Sequence, residues 1–239
     1  MKTKRYALVT GAGSGLGREI ALSLAESCAG VAVHYIRNKK AADETARLIR
    51  ERGKRVSVVR ADLTKEKDAA GLVGRVERVF GHLDILVNNI GPILMKPWLD
   101  LTSADWKRII DSNLLTSFHC IKAALPGMRR RKWGRIINIG YSRAEQLAAF
   151  PTITAYAVAK TGLLILTRTA AVSEARSGVT VNMVSPGLLE GGRLPPNVSA
   201  DKGALGTFSD VARAVCFLAS DAARSITGTN LIVAGTWKM

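Results

Sequence analysis

The sequence predicts a single-domain α/β fold: a doubly wound parallel sheet of about seven strands with helices on both faces. Three observations carry that expectation. Short apolar runs alternate with helical periodicities along the chain, and connections of that length force neighbouring strands to lie parallel and covered on both sides. The first apolar run leads directly into a glycine-rich turn and a helical pattern. The 239 residues, 47% of them hydrophobic, suffice to bury one large core, and no repeat, low-complexity tract or linker divides them. Residues 1–239 are therefore read as one domain.

In chain order, strands are predicted near 5–10, 31–35, 55–60, 84–88, 135–139, 180–185 and 230–233. Helices are predicted at 15–28, 40–52, 66–80, 103–128, 155–176 and 209–219. Leu16, Ile20 and Leu24 share one stripe of the first helix. Thr102 or Ser103 is placed to cap the long 103–128 segment, and Ser209 to cap the last helix. Residues 188–207 hold Gly191, Gly192, Pro195, Pro196, Gly203 and Gly206 and show no regular period. A connection of that length in a compact domain is expected to serve as a lid over a substrate.

Composition narrows the function classes. The formal net charge is +16, with basic residues dense between Arg37 and Arg60 and again at Arg129, Arg130, Arg131 and Lys132. A basic stripe is the usual footprint of a polyanion partner. Aromatic residues make up only 5% of the chain, which is sparse for base stacking, and no recognition module is apparent, so no specific nucleic acid is expected. No apolar run has the length of a membrane span, and the N-terminal stretch lacks the apolar segment of a signal peptide. Cys28, Cys120 and Cys216 are widely separated in helical patterns and read as small buried hydrophobes, so the expected compartment is the reducing cytoplasm. His34, His82 and His119 share no ligand spacing with them, and no metal site is expected.

Two segments point to chemistry. Gly11, Gly13, Ser14, Gly15, Leu16 and Gly17 follow the first strand and open the first helix. Glycines there permit tight turning and close approach, while free N–H groups and the helix dipole attract a phosphate. The spacing is not G-x-G-x-x-G, because Leu16 stands where the last glycine would fall. Later, Tyr156 and Lys160 lie one helical turn apart on one face. A lysine charge at that spacing favours the phenolate, and the pair suits protonation of a carbonyl oxygen as it becomes an alkoxide. At the end of the second strand, where a carboxylate would bind the adenosine 2′-hydroxyl of NAD, the chain offers Arg37, Asn38 and Lys39 instead. These residues predict NADP(H) rather than NAD(H), since their charges suit a 2′-phosphate.

Thr10 with Gly11–Gly17, Asp62-Leu63, Asn88-Asn89-Ile90-Gly91, Asn113, Tyr156 with Lys160, Asn182 and Pro186-Gly187 occur in the order seen in the short-chain dehydrogenases/reductases. The chain resembles that family from about Lys4 to Trp237, and in particular its 3-oxoacyl carrier-protein reductase-like members. The resemblance implies a Rossmann-type domain and a carbonyl reduction at Tyr156, with Lys160 lowering the Tyr156 pKa and holding the nicotinamide ribose, and Asn113 helping to hold a water. It places Asp62 and Leu63 at the adenine, Asn88, Asn89 and Gly91 near the ribose, and Pro186, Gly187 and Leu188 against the cofactor. Ile90 replaces the usual alanine.

The family's serine that polarises the carbonyl has no direct counterpart. The stretch reads Ile137-Asn138-Ile139-Gly140-Tyr141-Ser142, so register puts Tyr141 in the serine's place. A small bulge after the strand would bring Ser142 there, and Ser142 is preferred because its short hydroxyl needs less room. Three functions remain open: a reductase of a free ketone or aldehyde, a reductase of substrates on an acidic acyl carrier protein docked at Arg129–Lys132, or a catalytically silent NADP- or polyanion-binding protein. The resemblance further implies a homotetramer, or at least a dimer, through the helices at 103–128 and 155–176, whose Leu163–Leu166 tract exceeds what one sheet face covers.

Overall fold

A computed structural model of the chain describes residues 4–192 and 205–235. Its strands are β1 (Tyr6–Val9), β2 (Gly30–Tyr35), β3 (Arg55–Arg60), β4 (Ile85–Asn88), β5 (Gly134–Ile139), β6 (Val179–Pro186) and β7 (Asn230–Val233). The helices are α1 (Gly15–Ser27), α2 (Lys39–Glu51), α3 (Glu66–Phe80), α4 (Ser103–Ile110), α5 (Thr116–Arg131), α6 (Thr154–Ser173) and α7 (Phe208–Ala219). All seven strands form one sheet in the order β3-β2-β1-β4-β5-β6-β7, and every pairing is parallel.

Alternation along each strand splits the core in two. Val9, Val87, Ile137 and Val184 face α1 and α7 with Ile20, Leu24, Val211 and Val215. Leu8, Leu86, Ile136 and Val181 face the other layer with Leu72, Val76, Ile121 and Met128. Both faces of the inner strands are thus apolar, as a sheet covered twice requires. Because β1 is flanked by β2 on one side and β4 on the other, the order reverses there. Their carboxyl ends open a crevice where such sheets bind ligands.

Three sequence expectations need correction. The single helix at 103–128 is α4, then a π-helical turn (Asp111–Leu115), then α5, which runs on past Pro126 to Arg131. The wider turn carries Asn113, whose amide donates to the Pro92 and Ile109 carbonyls, both at 3.1 Å. The last helix is capped by Thr207, not Ser209: the Thr207 hydroxyl accepts from the Asp210 N–H, and Asp210 accepts back from the Thr207 N–H, a reciprocal capping box. Thr102 caps α4 in the same way. Of the Leu163–Leu166 tract, Leu163 and Leu164 are buried within the chain itself and only Ile165 is strongly exposed, at 62%. The Tyr141 and Leu114 side chains cover what one sheet face would have left open.

Cys28 caps the end of α1 rather than lying within it. Burial pushes its thiol up to about 11, and those of Cys120 and Cys216 up to about 12, so all three stay protonated. Among the described residues no helix is long and apolar enough to cross a membrane.

Candidate active site

The glycine turn sits at the crevice. Ser14 stands in the N-cap position of α1 with extended backbone and makes no side-chain cap bond, which leaves the first N–H groups of the helix for an anion. Gly15 adopts a positive φ of 52°, and a Cβ at Gly17 would collide with the Gly11 carbonyl and the Asn89 amide. The close packing of helix on turn thus requires glycine. Asn89 ties the end of β4 to this turn. Its N–H donates to the Thr10 hydroxyl at 2.9 Å and its side-chain amide to the Thr10 carbonyl at 3.0 Å.

Asn88, predicted near the ribose, turns the other way. Its amide donates to Asn138 Oδ1 at 2.8 Å, and Asn138 donates to the Thr167 hydroxyl at 2.9 Å. Neighbouring residues at a strand end face opposite sides, so Asn88 and Asn89 divide the roles between them. The sequence reading missed His34. The Gly11 N–H donates to its Nδ1 at 3.1 Å, and its Nε2 lies 3.1 Å from the Ala61 carbonyl. Accepting one bond and donating the other fixes the neutral imidazole with the proton on Nε2, and burial pushes its pKa down in agreement. Its only advance signal was a polar residue in an apolar strand.

The three residues predicted to read the 2′-phosphate are not equivalent. Asn38 caps α2 by accepting from the Ala41 N–H, and Lys39 is paired with Asp43 at 2.6 Å. Arg37 is exposed and has no ion-pair partner among the described residues. Asp62 accepts from the Thr64 hydroxyl at 2.7 Å, and Leu63 is buried. Much of the remaining basic density is internally occupied. Arg47 pairs with Glu44 and Glu51, Arg129 with buried Glu174, and Arg131 reaches the Leu83 carbonyl.

Tyr156 and Lys160 project from α6 into a cavity of about 560 Å³. One part of its wall is the cofactor side predicted from sequence: Leu16, Asn89, Gly91 and Pro186, Gly187 and Leu188. The other part includes Met95, Tyr141, Phe150, Ile153 and Phe208, of which only Tyr141 was anticipated. Of the proposed lid, Leu188–Gly192 and 205–207 are described, and Leu189 bridges to Gly206. Residues 193–204 of that stretch lie outside the described residues.

Electrostatics differ from the sequence expectation. Lys160 is only 2% exposed, and its ammonium donates to the Ile139 carbonyl at 2.7 Å. Desolvation pushes its pKa down to about 7. Its Nζ lies 5.7 Å from the centre of the Tyr156 ring, and desolvation pushes the Tyr156 phenol up, with nearby Tyr141 adding to the rise. Burial thus opposes the lowering of Tyr156 expected from Lys160. Burial outweighs the lysine's influence because the same low-dielectric surroundings disfavour both charges. These surroundings favour the protonated phenol. Asn113 is fully buried, and its Oδ1 has no hydrogen-bond partner. A Cβ on Gly91 would lie 2.6 Å from Lys160 Nζ and 2.7 Å from that oxygen, so the two polar atoms flank Gly91 together.

The bulge predicted after β5 is absent. Gly140 N–H donates to the Val184 carbonyl and Ser142 N–H to the Pro186 carbonyl, so both strands advance by two residues and register is kept. Tyr141 stays in the position that register assigned to it. Its ring meets Tyr156 edge-on with centroids 5.6 Å apart.

A glycine turn at the switch point of a parallel sheet, with its Leu16 on the same cavity as a half-buried tyrosine and a buried lysine, is an arrangement suited to an oxidoreductase. The comparisons agree. Residues 11–236 match the family model described as enoyl-(acyl carrier protein) reductase. The chain is 35% identical to the 3-oxoacyl-(acyl-carrier-protein) reductase FabG of Staphylococcus aureus, covering 98% of both chains. It is 39% identical to the cis-4-hydroxycyclohexanecarboxylate dehydrogenase of Sinomonas cyclohexanicum, over 97% of this chain and 96% of that one. The crystal structure of acetoin dehydrogenase from Enterobacter cloacae superimposes with a TM-score of 0.88 at 29% identity, covering 98% of this chain and 96% of the other. The chain belongs to the short-chain dehydrogenase/reductase family.

Proposed function

We propose that this protein is an NADPH-dependent reductase that converts a ketone or aldehyde to an alcohol, with Tyr156 as the general acid. The observation that carries the reading is the cavity that runs from Leu16 of the glycine turn, past Asn89 and Gly91, to Tyr156 and Lys160. The nicotinamide cofactor, when bound, supplies the hydride. The residues that would hold it are the glycine turn with the first N–H groups of α1, Asn89, Gly91, Lys160 and the Pro186–Leu188 segment, with Arg37 meeting the 2′-phosphate. The fit rests on the glycine packing at Gly17 and on the orphaned Asn113 oxygen beside Lys160.

The chain's own residues then account for proton handling. Tyr156, kept protonated by burial, gives its proton to the carbonyl oxygen as negative charge develops there. Tyr141, whose phenol burial also pushes up, stays a donor and stands nearest in register to the missing serine. Lys160 and Asn113 flank Gly91 at a spacing suited to a bridging water, which would return a proton to the tyrosine. Positioning and electrostatics are the protein's share of the work.

A second reading, reduction of substrates on an acyl carrier protein, is favoured by likeness to the FabG relative. With Arg129 and Arg131 occupied inside the chain, its docking would rest on Arg130 and Lys132. The reading also includes a cytoplasmic location, in keeping with three unpaired cysteines, and self-association through exposed apolar residues on and beside α6. The test is a screen of small carbonyls and carrier-bound 3-oxoacyl substrates with NADPH and NADH side by side, for the parent and Tyr156→Phe. Removing the phenolic proton should cost about 10²–10⁴-fold in turnover while cofactor affinity changes little. Parent-like turnover in Tyr156→Phe would overturn the proposal, and activity restricted to carrier-bound substrates would select the second reading.

A further inference from the structure

The substrate side of the cavity carries one feature that carbonyl reduction does not itself require. Arg143 lines the wall with Tyr141, Phe150 and Ile153, and among the described residues no acidic side chain lines the cavity. Lys160, the other cation among the described lining residues, donates to the Ile139 carbonyl. Arg143 is held in a defined orientation. Its Nε donates to Gln146 Oε1 at 2.6 Å, and its Cζ lies 4.7 Å from the centre of the Phe150 ring. The contacts continue in series, Phe150 to Tyr141 at 6.0 Å and Tyr141 to Tyr156 at 5.6 Å between ring centres. Among the described residues Arg143 has no carboxylate partner, and the acid on its own loop, Glu145, is paired with Arg168.

A guanidinium held through Nε and lying over an aromatic ring, with the Tyr141 hydroxyl also in its reach, keeps terminal N–H groups of the kind that match a carboxylate. An aromatic wall lowers the local dielectric and strengthens that attraction.

We propose that Arg143 is a specificity determinant that binds a carboxylate on the substrate, so that the preferred substrates are oxo-acids or hydroxy-acids with an apolar body between the reacting carbon and the carboxylate. This inference rests on the reductase reading above. The apolar body packs along Tyr141, Phe150 and Ile153, the carboxylate is clamped by Arg143, and the carbonyl is left at Tyr156.

The test is steady-state reduction, with NADPH, of 4-oxopentanoate through 7-oxooctanoate, each against its methyl ester, and of acetoacetyl-coenzyme A against acetoacetyl-N-acetylcysteamine. For at least one chain length the acid should exceed its ester in kcat/KM by about tenfold or more, mainly through KM, and added salt should raise KM for the acid alone. Arg143→Gln should cut kcat/KM for the acid by about 10–100-fold, the range expected for a lost charge-assisted pair, and collapse the acid-to-ester ratio. Arg143→Lys should fall between. Esters used as well as acids at every length, or a ratio unchanged in both variants, would overturn the inference and leave the reductase reading standing. A coenzyme A preference lost in Arg143→Gln would show that the site takes a phosphate and would overturn the carboxylate assignment. No turnover of any member would remove the reductase reading and this inference with it.

Discussion

Lys160 donates from its ammonium to the main-chain carbonyl of Ile139 at 2.7 Å, across the joint between α6 and the end of β5. This bond fastens α6 to the strand that leads into Tyr141. It also satisfies one proton of a buried cation whose pKa desolvation has pushed down to about 7.

A pH dependence follows. Between about 7 and the ordinary lysine value of 10.5, the unfolded chain binds the proton and the folded chain does not. The Lys160 contribution to stability therefore rises with pH across that window, and its penalty is complete below pH 7, where both states are protonated. The effect should amount to a few kcal/mol at most. Urea midpoints should rise from pH 7 to pH 8, below the thiol range, in the parent, and that rise should be lost in Lys160→Met. An equal slope in both proteins would assign the pH dependence to other groups.

The unbulged strand end shifts the weight from Ser142 to Tyr141 as hydrogen-bond donor to the carbonyl. Tyr141→Phe is expected to lower kcat by about 10²-fold, near the usual cost of one oxyanion donor, with Ser142→Ala under tenfold. If the two effects exchange places, the site rearranges when substrate binds and Ser142 is the donor.

Cofactor preference should depend more on Arg37 than on Lys39. Lys39 is paired with Asp43, whereas Arg37 has no carboxylate partner among the described residues. Arg37→Ala is expected to weaken NADPH by about tenfold while NADH is little affected, with Lys39→Ala milder. Fluorescence titration of both cofactors measures this. Equal affinities for NADPH and NADH in the parent would exclude a 2′-phosphate site.

Self-association is testable at α6. Ile165 is 62% exposed and Leu147, on the adjoining loop, 94%. With Trp98 and Val158 they line an apolar hollow of about 640 Å³, an arrangement that favours burial against a second copy. Light scattering at micromolar concentration should report a dimer or tetramer, and Ile165→Glu should shift it to a smaller species. A monomeric parent protein would contradict the expectation.

Much of the site was readable because its signals are local. The glycine turn, the one-turn spacing of Tyr156 and Lys160 and the residues after β4 and β6 each depend on a few neighbouring positions. Arg143, Phe150 and Met95 were not readable in the same way. Arg143 and Phe150 lie on the β5–α6 connection and Met95 on the one after β4; their meeting beside Tyr156 follows from packing, and a lone arginine in a loop reads as a solvated charge. The π turn was hidden for a related reason. Nothing in the 103–128 pattern distinguishes a wider turn until Asn113 finds the Pro92 carbonyl from a distant segment.

The sequence by itself determined the layered parallel sheet, the order of its elements and the tyrosine–lysine pair, because periodicity, turn chemistry and short spacings are properties of neighbouring residues. Tertiary structure alone decided the charge states and partners. Arg129 finds Glu174 forty-five positions away, His34 locks the glycine turn from another strand, and burial rather than proximity sets the balance between Tyr156 and Lys160. Desolvation depends on everything that surrounds a group, and those surroundings exist only once the chain has closed over it.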